Sequence, residues 1–483
     1  MSERHLDRLR AMDASFLLQE GPTSHAHVGG TAILAGPAPS IDELREHIAG
    51  RLDRMYRYRQ RLAHTPLDGA RPLWVDDTRF DLDYHVRHTA LPAPGDRDQF
   101  HTAVAGAYSQ PLDRSRPLWE IWMVEGLEDD TFALVFKVHH AMVDGSAAVD
   151  LLKMLCDLSP CASPQDGSLA RWRPEPTPGR LGLLAIGARG AAAATLRLAA
   201  GAVQASKDPL RSIRGVRDVV EGAGELVGQL ARTPPKTPLT TEIGRYRRFV
   251  AVPCRLDDAK LVKNELGGTV NDVVLAVVSG ALRDFLLSRG VDTDGLELSA
   301  LVPVSVRGAG DTGELGNRIA VLRGSLPVHV EDPVTRLAAV TEAMAALKRS
   351  KQALTTEFFL SAQDFLPPMV LPIITRINVS PRMFNVMVTN IPGPQFPLYV
   401  LGREIVELYP IALLQPNHAL AIAVTSYNGQ LNFGVLGDYD TLADIELLAD
   451  GIAAGLAGLT ATCRDPAAAA PMARREPMLG VRA

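Results

Sequence analysis

The chain has few cysteines and no long apolar run. Its four cysteines do not have the spacing of a disulfide framework. They are Cys156, Cys161, Cys254 and Cys463. No window reaches the roughly 18 uninterrupted apolar residues that a membrane-spanning helix needs. The N-terminus, Met1 to Arg10, is charged and lacks the apolar segment of a signal peptide. These absences predict a reducing, cytoplasmic location and only peripheral contact with membranes.

The chain also lacks an excess of positive charge. Its net charge is -5 at pH 7, with 50 Lys and Arg against 55 Asp and Glu, so nothing indicates a nucleic-acid partner. Hydrophobic residues make up 46% and charged residues 22%, which is typical of a globular protein with neutral or apolar partners. At 483 residues the chain exceeds what one hydrophobic core usually supports, so two domains are expected.

Two adjacent histidines, His139 and His140, end a predicted strand and precede a predicted helix. Apolar residues alternate with others from Thr131 to Val138, which is the period of a strand. From Ser146 onward the apolar residues fall at helical spacing. The histidines therefore lie on a strand-to-helix turn, and loops fixed by rigid elements often present reactive groups.

This turn has the side chains needed for general base catalysis. Histidine titrates near neutral pH, so one imidazole can take a proton from a hydroxyl or a thiol. Asp144 either orients the ring or pairs with an arginine, and Gly145 permits a backbone angle that a side chain would block. A plain polar turn is the alternative interpretation. A metal site is not expected, because no nearby Cys or Glu cluster completes a zinc shell.

The pattern His139-His140-x-x-x-Asp144-Gly145 resembles the HHxxxDG motif of the CoA-dependent acyltransferase superfamily, which includes chloramphenicol acetyltransferases and peptide-synthetase condensation domains. Further matches resemble the bacterial wax ester synthase/diacylglycerol acyltransferase family. They are Pro117-Leu118-Trp119, Asn271-Asp272, Pro303-Val304-Ser305-Val306-Arg307 and Gly316-Asn317. The similarity runs in order from about Met12-Asp13 to Gly437-Asp438, so the chain is identified as a member of this family.

The resemblance implies an α/β fold of two chloramphenicol-acetyltransferase-like lobes with an active-site tunnel at their interface. It assigns His140 as the general base and His139 as a structural residue. An arginine pairs with the motif aspartate in the superfamily, so Arg61, or failing that Arg59, is the expected partner of Asp144. A solvated basic edge is the alternative for either arginine. The resemblance implies no metal and no cofactor. Acyl-CoA enters as a co-substrate.

The resemblance also implies an O-acyltransferase that moves a long-chain acyl group from acyl-CoA to diacylglycerol, to a long-chain alcohol, or to both. His140 removes the proton from the acceptor hydroxyl, which then attacks the thioester. Two alternatives stay open. One is a condensation-type enzyme that takes the acyl group from a carrier protein, and the other is a lipid-droplet scaffold that kept the motif without turnover.

Three further side chains are candidates for positioning the substrate or the developing oxyanion. Trp119 is expected near the histidine turn, although buried tryptophans more often belong to the core. Asn271 falls in the first turn of a predicted helix that begins with the capping pattern Thr269 and Asp272. Its amide can donate to a thioester oxygen, or it can simply tie the cap to a neighbouring loop. Ser305 is a candidate because it lies in a family motif.

The sequence divides into four parts. Residues 1–160 form the predicted first lobe with the histidine motif, and residues 246–463 form the predicted second lobe. Residues 161–245 contain a Pro-rich connector and a basic, Ala-rich helical linker, and residues 464–483 are expected to be disordered. The linker is weakly amphipathic, so it is expected either to lie on an anionic membrane or lipid-droplet surface or to dock on the protein.

Local signals predict several elements. The segment Tyr58 to Leu62 is predicted to be extended, with its two arginines on one face. Met383 to Val388 predicts a strand, and Thr389 to Pro394 predicts a loop that crosses toward the other lobe. Asn428-Gly429 between two alternating runs predicts a hairpin. Val273 to Val278 is apolar on all sides, which predicts a fully buried helix.

Overall fold

The computed structural model describes residues 6–65, 71–142, 155–161, 172–189, 234–305, 319–349 and 383–465. The motif residues Asp144 and Gly145 lie outside the described residues, as do most of the linker and most of the predicted tail. The same holds for Arg307, Gly316 and Asn317 of the family motifs.

The described residues form strands in three sheets. The strands are β1 (His27–Ala35), β2 (Gln60–Ala63), β3 (Leu73–Asp76), β4 (Val86–Ala90), β5 (Trp119–Leu127), β6 (Thr131–His139), β7 (Arg247–Arg255), β8 (Leu298–Ser305), β9 (Ile319–Leu326), β10 (Val386–Pro392), β11 (Tyr399–Val400), β12 (Arg403–Ile411), β13 (Leu420–Tyr427) and β14 (Gln430–Asp438). The α-helices are Ala11–Gln19, Ile41–Ala49, Leu82–His85, Arg97–Ser109, Leu256–Leu266, Val270–Ser288, Pro333–Arg349 and Glu446–Arg464. Residues 180–189 are also helical.

The first six-stranded sheet carries the histidine pair, and its strand order is β11-β12-β1-β6-β5-β4. Strand β6 runs antiparallel to β1 on one side and β5 on the other. Phe132 and Leu134 belong to one hydrophobic core, whereas Ala133 and Val135 belong to another. Both faces of β6 are therefore buried, which confirms the predicted strand and makes its end a rigid support for the turn.

The second six-stranded sheet has the order β7-β14-β13-β10-β8-β9. Its centre is parallel, because β10 pairs in the same direction with both β8 and β13. The hairpin predicted at Asn428-Gly429 is confirmed, since it joins β13 to β14. Both residues have positive φ, 43° and 81°, which is the conformation that Asn and Gly adopt most readily in a two-residue turn.

The second half of the chain contributes two strands to the first sheet. Strands β11 and β12 come from the second half of the sequence, yet β12 pairs with β1 and completes the first sheet. The predicted crossing is confirmed, but the loop predicted over Thr389 to Pro394 begins too early. Residues Thr389 to Pro392 continue β10, because their backbone groups pair with β13. The segment that crosses from the second sheet to the first therefore follows Pro394, and its strands β11 and β12 are part of the first sheet.

The helix Val270–Ser288 is the centre of the second lobe's core. Its residues Val273 to Val278 are all buried, as the sequence predicts, and the predicted capping box of Thr269 and Asp272 is present. The helix Glu446–Arg464 packs against it, with Gly451 close to Ala281. By length and composition alone, Glu446–Arg464 could span a membrane. Its apolar face is instead packed on the neighbouring helices, which is the arrangement of a core helix.

The prediction of an extended segment over Tyr58 to Leu62 is wrong for the first half of that segment. Tyr56–Arg59 forms a turn of 3-10 helix, and β2 begins only at Gln60. Arg59 pairs with Asp53 at 2.8 Å in the preceding turn and lies over the ring of Trp172. These tertiary contacts stabilise the helical turn, so the two arginines do not share a strand face.

Candidate active site

The histidine pair lies where β6 ends. His139 is the last residue of the strand, opposite His27 on β1, and its backbone N–H donates to the carbonyl of Leu118. His140 opens a single 3-10 turn, His140–Met142, and its N–H donates to the carbonyl of Ala26 at 2.7 Å. Backbone hydrogen bonds to elements on both sides of β6 therefore fix the position of both residues.

The ring of His140 is partly buried against an aromatic side chain. It stacks on Phe16 with the ring centroids 3.7 Å apart and the planes 18° from parallel. Burial is the largest cause that lowers the pKa of His140 to about 4, and the neighbouring His139 adds to it, while an interaction with its own backbone opposes both. The imidazole is therefore neutral at physiological pH and can accept a proton.

The ring of His139 is buried and has a defined orientation. Its Nδ1 accepts the backbone N–H of Ala141 at 2.9 Å. Its Nε2 lies 3.1 Å from Oε1 of Glu20. Because Nδ1 accepts an N–H, the proton of the neutral ring must be on Nε2, the nitrogen that lies closest to the carboxylate.

Glu20 is a residue of the site that the sequence reasoning missed. It is the residue that ends the helix Ala11–Gln19, where a negative charge is unfavourable to the helix dipole. Burial raises the pKa of this carboxyl, but His139, Arg114 and the N–H of Ala26 together lower it well below its usual range. An acidic side chain at an unfavourable helix end was the available signal, since it indicates a partner elsewhere.

Trp119 lies in the core of the first lobe. Its side chain is 1% exposed, its Nε1 donates to the carbonyl of Tyr58 at 2.7 Å, and its ring stacks on His85. Trp119 pairs with Val138 on β6, so it is close in the sheet to the histidines. Its contacts are those of a packed core residue, which is the alternative considered for it.

The two candidate arginines have other partners among the described residues. Arg61 donates to the hydroxyl of Thr177 at 3.1 Å, and its Nε is 4.0 Å from Asp77. Arg59 pairs with Asp53. Since Asp144 lies outside the described residues, its pairing with either arginine stays a prediction.

Asn271 lies in the first turn of its helix, as predicted. Its Oδ1 accepts a hydrogen bond of 3.3 Å from Nδ2 of Asn390, which is on β10. The residue therefore ties the helix start to a strand, and its own amide N–H groups are not used in this contact. Ser305 is the last residue of β8, opposite Ile319 on β9.

Two mixed sheets joined by a crossing segment, with a histidine at the end of a central strand, are the architecture of the two-lobed chloramphenicol-acetyltransferase-like fold. Two solved structures share this fold at low identity. A trichothecene 15-O-acetyltransferase of Fusarium sporotrichioides has 12% identity and a TM-score of 0.58 over 94% of both chains. The first condensation domain of the calcium-dependent antibiotic synthetase has 18% identity and a TM-score of 0.57, covering 96% of this chain and 97% of that one.

The chain belongs to the wax ester synthase/diacylglycerol acyltransferase family. The model of the family's catalytic domain matches residues 9–274, and that of its C-terminal domain matches residues 315–460. A probable diacylglycerol O-acyltransferase of Mycobacterium tuberculosis H37Rv, tgs1, is 34% identical over 460 residues, covering 94% of this chain and 96% of the relative. The solved wax ester synthase/diacylglycerol acyltransferase of Marinobacter aquaeolei VT8 has 27% identity and a TM-score of 0.69, with 95% and 100% of the chains covered.

Proposed function

We propose that this protein transfers a long-chain acyl group from acyl-CoA to the hydroxyl of diacylglycerol or of a long-chain alcohol. The observation that carries the proposal is the position of the His140 ring, held at the rigid end of β6 and stacked on Phe16, where burial lowers its pKa. The imidazole takes the proton of the acceptor hydroxyl as its oxygen attacks the thioester carbonyl. The tetrahedral intermediate then collapses, and the CoA thiolate leaves and receives the proton from the imidazolium.

Asn271 is the proposed donor to the developing oxyanion. Asn390 engages its Oδ1, so the amide N–H groups of Asn271 are the part of the side chain left for a ligand. A preorganised donor of this kind stabilises charge that develops on the thioester oxygen in the transition state. Asp144, Gly145 and Ser305 are proposed to support the turn and the substrate, as the family motifs imply.

The experiment gives purified protein palmitoyl-CoA together with hexadecanol and a diacylglycerol in competition, and it identifies the esters by mass spectrometry. His140→Ala is expected to lose roughly two to four powers of ten in rate, the usual contribution of a positioned base. His88→Ala is the matched control, because His88 is a half-exposed histidine on β4 that pairs with Glu125.

Undiminished activity in His140→Ala would refute the proposed role of this ring. Transfer from an acyl carrier protein but not from free acyl-CoA would instead support the condensation-type alternative. The lipid-droplet scaffold would be supported if the wild type formed no ester and His140→Ala still bound lipid droplets.

We also propose that the enzyme meets its lipid acceptor from the cytoplasm, at the surface of a membrane or lipid droplet. Leu183 and Ile186 of the helical residues 180–189 pack on the small sheet β2-β3, whereas Leu181 is 82% exposed. Arg180 and Arg189 lie in the same segment, which gives it the basic and apolar character of interfacial helices. Flotation with anionic and with neutral vesicles tests this, and binding to neither would exclude a lipid surface of these compositions.

A further inference from the structure

A short chain of polar contacts leads from the surface of the protein to the histidine turn. Arg114 Nε donates to Oε2 of Glu20 at 2.9 Å. The other oxygen of Glu20 lies 3.1 Å from Nε2 of His139, and Nδ1 of His139 accepts the N–H of Ala141. Ala141 directly follows His140, so this chain of contacts ends at the backbone that carries the proposed base.

Glu20 reaches the same turn by a second route. Its Oε1 also accepts the backbone N–H of Ala26 at 2.9 Å. The carbonyl of Ala26 accepts the N–H of His140 at 2.7 Å. One carboxylate oxygen is therefore connected to the N–H of His140 through Ala26 and to the N–H of Ala141 through His139.

A third contact involves the support of the His140 ring. Arg114 Nη2 donates to the carbonyl of Leu17 at 2.8 Å, at the end of the helix Ala11–Gln19. Phe16, on which His140 stacks, belongs to this helix. The pair of Arg114 and Glu20 thus holds both the backbone and the stacking partner of His140.

We propose that Glu20 is a positioning residue for acyl transfer: its carboxylate holds the His139 ring at Nε2 and the backbone at Ala26, and thereby fixes the turn that orients His140. This inference rests on the proposed role of His140. Glu20 does not touch the reacting atoms in this arrangement. It acts through His139 and Ala26, so its removal is expected to change the geometry of the base rather than the binding of acyl-CoA.

Glu20→Gln is the sharpest perturbation, because it keeps the size of the side chain. Among the described residues, the three groups that lie closest to the Glu20 oxygens are donors, namely Ala26 N–H, His139 Nε2–H and the Arg114 guanidinium. An amide has one donor end and one acceptor end, so the NH2 end of the glutamine must face one of these donors. We expect kcat to fall by about 10²-fold, the typical effect of a misplacement of about 1 Å, while KM stays of the same order.

Glu407→Gln is the matched control. Glu407 is also a mostly buried carboxylate that pairs with one arginine, Arg97, and its pKa is lowered like that of Glu20. It lies on β12 opposite Ile33, whereas His139 lies opposite His27 on the same strand β1. Six residues of strand separate the two places, roughly 20 Å. This variant is expected to lower the melting temperature and to keep kcat.

The assay measures kcat, KM and melting temperature for the wild type and both variants, with His140→Ala as reference. We expect kcat to fall in Glu20→Gln and to stay at the wild-type value in Glu407→Gln. A wild-type kcat in Glu20→Gln would overturn the inference, and so would an equal loss of kcat in Glu407→Gln. If His140→Ala were fully active, the proposed function itself would fail, so the two failures are distinguishable.

A second measurement does not depend on turnover. In protein labelled with 15N-histidine, the Nε2–H signal of His139 is identified as the one missing from His139→Gln. The inference predicts that this signal is present in the wild type and lost in Glu20→Gln. An unchanged signal would overturn it. If Glu20→Gln does not fold, Glu20→Asp replaces it, since the shorter side chain withdraws its oxygens from His139, and a wild-type kcat in that variant would equally overturn the inference.

Discussion

Lowering the pH from about 7 to about 5 is expected to leave kcat/KM for acyl transfer nearly unchanged. The acid limb of kcat/KM reports the pKa of the essential base in the free enzyme. Burial lowers the pKa of His140 to about 4. An ordinary histidine titrates near about 6.5 and would be about nine-tenths protonated at pH 5.5. With a pKa of about 4, His140 is still almost wholly neutral at that pH, so the rate should fall only near pH 4.

The magnitude follows from the environment of the ring. A shift from about 6.5 to about 4 corresponds to roughly 3 kcal/mol of preference for the neutral form, at about 1.4 kcal/mol for each pKa unit. Stacking on Phe16 is part of the burial that disfavours the charged ring. Phe16→Ala is expected to open this side of the ring to water, which would move the acid limb upward toward pH 6.5.

The assay has two sources of error that controls remove. The phosphates of CoA titrate near about pH 6, so a palmitoyl pantetheine thioester without phosphate serves as the second donor. The fold itself becomes less stable as the pH falls below about 6.5, because the unfolded chain then binds more protons than the folded chain does at His85, His101 and His140, whose folded pKa values are about 4. Samples are therefore returned to pH 7 and assayed again. A reversible loss of half the activity near pH 6.5 with both donors would refute the reasoning.

Two further substitutions test the packing. Trp119→Phe removes the hydrogen bond to the Tyr58 carbonyl and should lower the free energy of unfolding by about 1–3 kcal/mol while kcat is retained. A tenfold loss of kcat at an unchanged melting temperature would instead indicate that Trp119 contacts the substrate. In Gly434→Ala the new Cβ would clash with the Pro410 carbonyl where β14 meets β12, so denaturant unfolding should show a loss of about 1–3 kcal/mol. Gly106→Ala is the control, because its Cβ meets nothing within 4 Å, and it should be neutral or slightly stabilising. Equal stabilities of the two variants would contradict this.

Elements defined by local signals could be predicted from the sequence. The helix Val270–Ser288 is specified by its capping box and its continuous apolar run, and the hairpin at Asn428-Gly429 by residue types that favour its turn. Strand β6 is specified by its alternation, and the position of the histidines at its end follows from the point where that alternation stops. In each case neighbouring residues contain the whole signal.

Features that depend on distant partners could not be predicted in the same way. The helical turn at Arg59 depends on Asp53 and Trp172, the latter more than a hundred residues further along the chain. The pairing of β12 with β1 joins strands from opposite halves of the chain. Glu20 is more than a hundred residues before His139, and nothing in the spacing of the HHxxxDG motif indicates it. The periodicity of a sequence indicates which residues are buried, but not which distant residue each one contacts, so these contacts could not be predicted from it.

The low pKa of His140 has opposite effects on the two halves of the proposed reaction. It makes the ring a weak base toward the acceptor hydroxyl, since burial penalises the imidazolium that must form. The same imidazolium is a strong acid toward the leaving group, because an alkyl thiol titrates near about 8.5, roughly four units higher. Return of the proton to the CoA thiolate is therefore strongly downhill. Deprotonation of the hydroxyl is then the step that most needs a fixed ring, which is why the contacts of Glu20 with the turn matter for the rate.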